Sequence, residues 1–120
     1  VKSVRAASAM GLITVEGTSP VDWYTGGRAM QRVWLRATSL GLVFQPMTAL
    51  TYLFFRLHQG ETTGMDDSEV EVLSSLRRRF AGVFNVSGRK AEPMLFRLAR
   101  AERPTARSLR RNLEDVLEFC

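Results

Sequence analysis

Few residues in this sequence could do chemistry by themselves. A single imidazole, His58, stands near the end of an apolar segment. With no second histidine and no orienting carboxylate pair, it reads as a surface or rim residue rather than a ligand or base. The one thiol is Cys120, so these 120 residues can form neither an internal disulfide nor a cysteine-based metal site. The clustered acids Asp66, Asp67, Glu69 and Glu71 read as helix capping rather than acid–base machinery. Gly26-Gly27 ahead of a predicted helix could accept a phosphate at the helix N-terminus, but two glycines are a weak match and an ordinary loop-to-helix turn is the better reading of the pair. There is no G-x-S-x-G, no P-loop and no G-x-G-x-x-G. Any reaction at this chain must therefore be carried by a cofactor.

The elements that would position such a cofactor are legible from periodicity. Ala9 to Val15 is short, apolar and β-branched towards its end, so it predicts a buried strand, closed by the loop residues Glu16 to Pro20. From Thr25 or Gly26 the period changes: Met30, Val33, Trp34, Ala37 and Leu40 form a core-facing helical stripe up to Gly41. Arg28, Arg32 and Arg36 lie on another, wet side. Val43 to Pro46 must be extended, because the residue before proline avoids the helical region. Thr48 is placed to cap a second helix through Leu50, Leu53, Phe54 and Leu57, ending before Gly60. Asp66 with Glu69 three residues on predicts the start of a third helix, with Val70, Leu73, Leu76 and Phe80 as its stripe and Arg77-Arg78-Arg79 at its end. Asn85 to Glu92 reads as loop. After Pro93, Met94, Phe96 and Leu98 share one face of a strand closed by Pro104. The order β-α-(β)-α-α-β-tail predicts an α+β fold, a small antiparallel or mixed sheet packed on helices.

The composition suits one globular domain over residues 1–120: 45% hydrophobic and 24% charged residues are an ordinary mixture. A chain this short buries only roughly 65% of the surface it exposes when unfolded, so it often leans on a partner or cofactor. No apolar run approaches the roughly 20 residues that span a bilayer, and with the single cysteine this suits a reducing cytoplasm. Lys+Arg exceed Asp+Glu by 17 to 12. That balance serves nucleic acid, a phosphorylated small molecule or a solvated surface alike.

One run narrows the choice. Gly26-Gly27-Arg28-Ala29-Met30-Gln31-Arg32-Val33-Trp34-Leu35-Arg36-Ala37-Thr38-Ser39-Leu40-Gly41-Leu42 resembles the central helix of nitroreductases, with its Leu-x-Ala-x-x-Leu-Gly-Leu close. Pro93 to Arg100 resembles the family's near-terminal strand. Arg110-Arg111-Asn112-Leu113-Glu114-Asp115-Val116-Leu117 is similar to its closing Arg-(Lys/Arg)-x-Leu-Glu-Glu-Val signature. The resemblance implies a nitroreductase-like partial sandwich that binds FMN, usually as a homodimer. It also implies electron transfer from NAD(P)H to nitro or quinone-like acceptors. By the same resemblance Arg110 and Arg111 contact the FMN phosphate, and the loop of Phe44, Gln45, Pro46 and Met47 lies near the flavin ring. A planar guanidinium suits the first role, since it makes two charge-assisted hydrogen bonds to phosphate. The family's opening Arg-x-Ser-x-Arg segment has no counterpart here, so the expectation is a C-terminal fragment that lacks the N-terminal half of the fold and is inactive alone.

Two other readings compete. One is a flavin-less nitroreductase-like unit for interaction or dimerisation within a longer chain; the Phe54-Phe55 pair exceeds what one helix face buries and suggests such a contact. The other is a nucleic-acid-binding module, because Arg97, Arg100, Arg103, Arg107 and Arg110 recur every three or four residues. Pro104 interrupts that helix, and Met94, Phe96 and Leu98 prefer a strand. Trp23 and Tyr24 read as a hydrophobic plug before the first helix, with stacking on a flavin or base as the alternative.

Overall fold

The computed structural model describes residues 5, 7–86, 90–101 and 111–117. It is an α+β fold in the order β1 (Ala9–Glu16), α1 (Pro20–Ser39), β2 (Val43–Pro46), α2 (Thr48–His58), α3 (Asp67–Phe84) and β3 (Lys90–Ala99), with a short 3-10 turn at Leu113–Asp115. The sheet is antiparallel in the order β1-β3-β2, so the last strand is the central one. Among the described residues no helix is long and apolar enough to cross a membrane.

Alternation along the strands divides the core into two halves. Phe96, with Met94 and Leu98, packs beside Ile13, Phe44 and Ala37 under α1. Leu95, only 2% exposed, points the other way into a cluster with Phe54, Leu73 and Phe80 under α2 and α3. A central strand buried on both faces needs apolar residues at consecutive positions, which Met94-Leu95-Phe96 supplies. The result is three layers: α1, the sheet, then α2 with α3.

The register of β1 on β3 slips once. Ile13 pairs with Met94 and Val15 with Ala91, so Glu92 and Pro93 together stand opposite Thr14. Such a bulge accommodates a proline, which has no N–H to give the ladder. It also resets the alternation, so that Pro93 meets α1 while the Glu92 side chain reaches α3. The predicted strand began only after Pro93; it in fact starts at Lys90, because the bulge lets the proline sit inside it.

α1 begins at Pro20, well before the predicted Thr25 or Gly26. Ser19 is its N-cap: Asp22 N–H donates to the Ser19 hydroxyl oxygen at 3.3 Å, and Ser19 N–H donates to Asp22 Oδ2 at 2.8 Å. Pro20 at the first helical position costs no hydrogen bond. Gly26-Gly27 therefore lies inside the helix and offers no N-terminal phosphate cradle. Gly26 is instead the point of closest approach to the sheet, where a Cβ would come 2.4 Å from Pro93 Cγ. Gly11 does the same in β1, lying beneath the ring of its cross-strand partner Phe96.

α3 starts at the expected box of Asp66 and Glu69 but runs on past Arg77-Arg78-Arg79 to Phe84, where Asn85 closes it in the left-handed conformation. α2 matches its predicted span, though Met47 rather than Thr48 is the N-cap and gives no side-chain hydrogen bond.

The two capping carboxylates are held below the ordinary aspartate range, Asp22 by the Ser19 hydroxyl and N–H, Asp66 by the Ser68 hydroxyl and then the Glu69 N–H. A carboxyl whose pKa is depressed on folding stabilises above its unfolded pKa of about 3.9, and that contribution fades as pH falls through the folded value. The urea midpoint should therefore drop on acidification below about pH 4. The drop should be smaller in the double variant Asp22→Asn, Asp66→Asn; an equal drop would assign the acid sensitivity to other carboxylates.

Candidate functional site

β2 is only four residues long and pairs with the Phe96–Ala99 end of β3. After Met47, whose N–H donates to the Leu95 carbonyl at 2.8 Å, the chain leaves the sheet for α2. No described strand covers β3 from Lys90 to Met94 on that side. At this corner the outer layers meet: Trp23 of α1 and Phe55 of α2 pack edge to face with ring centroids 5.2 Å apart. A cleft of about 360 Å³ opens there, within the size range of small-molecule sites.

Three aromatic rings line the cleft. Trp23 and Phe55 are half-buried, while Tyr52 stands on the rim with 59% of its surface exposed. Thr48 and Thr51 form the α2 wall, and the buried Thr51 hydroxyl donates to the Thr48 carbonyl at 3.1 Å. The floor is Glu92 with Pro93. The Glu92 side chain is 6% exposed and is gripped from behind by Arg77: Nη1 donates to Oε2 at 3.0 Å, and Nη2 lies 2.7 Å from Oε1. The two contacts make the grip two-pronged, and Oε1 is buried beneath it. The Arg77 guanidinium also lies over the rings of Phe54 and Phe80, at 5.3 and 5.8 Å from their centroids.

The residues expected near a flavin ring are distributed unequally. Phe44 is 5% exposed and stacked between Trp34 and Phe96, with centroids 4.8 and 4.5 Å away, so both faces of its ring are covered. Gln45 is exposed on the edge strand, where its Oε1 accepts from Arg97 Nε. Pro46 is exposed, and Met47 packs half-buried against the lower core cluster. These four lead the chain into the cleft wall at Thr48. Arg111 is exposed, while Arg110 lies outside the described residues, as do Arg103 and Arg107. Arg97 belongs to β3, so no single helix carries the run of arginines from residue 97.

Other expectations resolve within the chain. His58 is exposed, as read. Trp34 is 39% exposed, more than a core residue should be. The Phe54-Phe55 pair needs no external partner, because Phe54 enters the core and Phe55 turns to Trp23. Trp23 does plug the start of α1, but Tyr24 is 70% exposed.

Tyr52, Phe55, Thr51 and Glu92 were not singled out as a site in the sequence. The one available signal was Glu92, an acid next to proline at the mouth of an apolar strand. An acid there must be either exposed or paired, and only the bulge decides which.

Fold and cleft together define an α+β domain with a three-stranded antiparallel sheet and a ring-lined pocket at the end of its short edge strand. Over 111 residues, 90% of this chain, it is 32% identical to a Mycobacterium tuberculosis (strain CDC 1551 / Oshkosh) protein described as uncharacterized protein MT1398. The chain spans 15% of the length of that relative. No protein-family model and no solved structure matches the chain.

Proposed function

We propose that this chain is part of an FMN-dependent oxidoreductase of nitroreductase type, one that passes electrons from NAD(P)H to nitro or quinone-like acceptors. The observation that carries this reading is the aromatic cleft at the end of β2. The resemblance puts the flavin ring beside Phe44 to Met47, and that segment, the end of β2 and the residue after it, runs directly into Thr48 and Thr51 on the cleft wall. The order of the three resembling motifs along the chain is the second support.

The donor set suits FMN in kind. Trp23 and Tyr52 offer surfaces on which a planar ring can stack. The exposed guanidinium of Arg111 offers two parallel donors to a phosphate. When bound, FMN supplies the two-electron chemistry. The chain's own residues hold and orient it, and Phe44, wedged between Trp34 and Phe96, stiffens the strand that approaches it. The full-length protein should purify with close to one FMN per chain, released on denaturation and counted by its absorbance. A colourless protein that takes up no added FMN would refute the reading.

That second outcome would favour a flavin-less interaction or dimerisation unit. One observation speaks for it: Val21 and Tyr24, near each other at the start of α1, are 71% and 70% exposed, an apolar pair of the kind that partners cover.

A further inference from the structure

The outward side of α3 carries an ordered stripe that the other described elements leave open. Glu69, Val72, Leu76, Arg79 and Val83 recur at alternating steps of three and four residues, the spacing that keeps side chains on one seam of a helix. Val72, Leu76 and Val83 are 59%, 41% and 79% exposed, a line of apolar surface of the kind that partners cover. Beside it, α3 and α2 leave a groove of about 440 Å³ lined by Leu53, Met65, Val72, Leu73 and Leu76 among others. Opposite charges flank the Val72 and Leu76 pair. Glu69 accepts the Asp66 N–H through Oε2 at 3.0 Å, and Oε1 is not used in that bond. Arg79 is exposed and makes no ion pair among the described residues.

We propose that this stripe is the seam of a homodimer, in which α3 packs antiparallel on α3 of a second copy. The pattern is self-complementary about the height of Ser74. With a two-fold axis there, Val72 of one copy stands level with Leu76 of the other, and Glu69 stands level with Arg79. Val83 then falls at the mouth of the other copy's groove, beside Met65. Each side chain meets its complement twice, as a two-fold interface requires. A parallel pair in register would instead set Glu69 against Glu69 and Arg79 against Arg79, and those like charges oppose association. The charge pattern therefore selects both the partner and its direction. The inference stands apart from the flavin reading, because none of these residues lines the cleft between Trp23 and Tyr52.

The test is sedimentation equilibrium of the full-length protein, with circular dichroism to confirm that each variant folds. The parent should be a dimer, and Val72→Glu, at an exposed position, should be a folded monomer. Arg79→Glu should raise the dimer Kd about tenfold or more, because one substitution reverses two exposed ion pairs. Adding Glu69→Arg to it restores both pairs in the opposite sense, so the double variant should recover most of the lost affinity. Recovery is the decisive readout. A substitution that merely disturbed α3 would be made worse by a second one that also removes a capping side chain. A monomeric parent would overturn the proposal and leave the stripe to a different polypeptide. A dimer untouched by Val72→Glu, or a double variant that binds no tighter than Arg79→Glu, would overturn it as well.

Discussion

Gly26→Val should destabilise the protein by about 3 kcal/mol, at the upper end of what overpacking costs. The reason is the approach of α1 to the bulge. A Cβ at residue 26 would lie 2.4 Å from Pro93 Cγ and 2.9 Å from Pro93 Cβ, with Val15 Cγ1 a further 3.6 Å contact. The obstacle is a proline ring, which has no rotamer to swing away, and it sits in β3 at the bulge against β1. α1 must therefore lift off the sheet, and the cluster of Ile13, Phe44 and Phe96 beneath it loosens. The neighbouring residue is the control. Nothing lies within 4 Å of a Cβ at Gly27, so Gly27→Ala should gain about 1 kcal/mol from helix propensity alone. Urea unfolding of both variants checks the pair, and two shifts of the same sign would contradict the close packing of α1 on Pro93.

Arg77→Ala should cost nearly as much, for an electrostatic reason. Breaking a fully buried ion pair by removing one partner costs about 3–5 kcal/mol, because the remaining charge is stranded. Here the Glu92 side chain is 6% exposed but that of Arg77 is 30% exposed, so water reaching the vacated side softens the penalty to about 2–3 kcal/mol. Loss of the guanidinium from the faces of Phe54 and Phe80 adds to it. Removing both charges should be milder than removing one: Arg77→Met with Glu92→Leu keeps apolar volume and strands nothing. Thermal unfolding of the single and double variants decides this, and a double variant less stable than Arg77→Ala would show that the pair stabilises by more than mutual neutralisation.

Both results depend on a feature that the sequence conceals. Periodicity was enough for β1, β2, α2 and the start of α3, because each carries its own local signal: β-branched runs, the residue before Pro46, the Gly60 stop and the box of Asp66 with Glu69. It misplaced the start of α1, because Ser19 and Asp22 form the box with aspartate where glutamate or glutamine is the usual signal, and two glycines interrupt the stripe that follows. It cut β3 short at Pro93, because a proline in a central strand is tolerated only at a bulge, and a bulge is a property of two strands in register. The same slip turns Glu92 towards Arg77. The candidate site could not be assembled for that reason: its rings come from α1 and α2, its floor from β3, and they meet only where β2 runs out. Phe44, read as flavin-adjacent, is in the structure the middle ring of a three-ring stack.

The proposed function requires a flavin that accepts and passes on electrons at this domain. The most direct measurement is anaerobic mixing of the FMN-loaded full-length protein with NADH or NADPH, followed by a quinone or nitroaromatic acceptor. The absorbance of oxidised flavin should bleach on the first addition and return on the second. Flavin that stays oxidised with either nicotinamide, or a protein that holds no FMN at all, would contradict it.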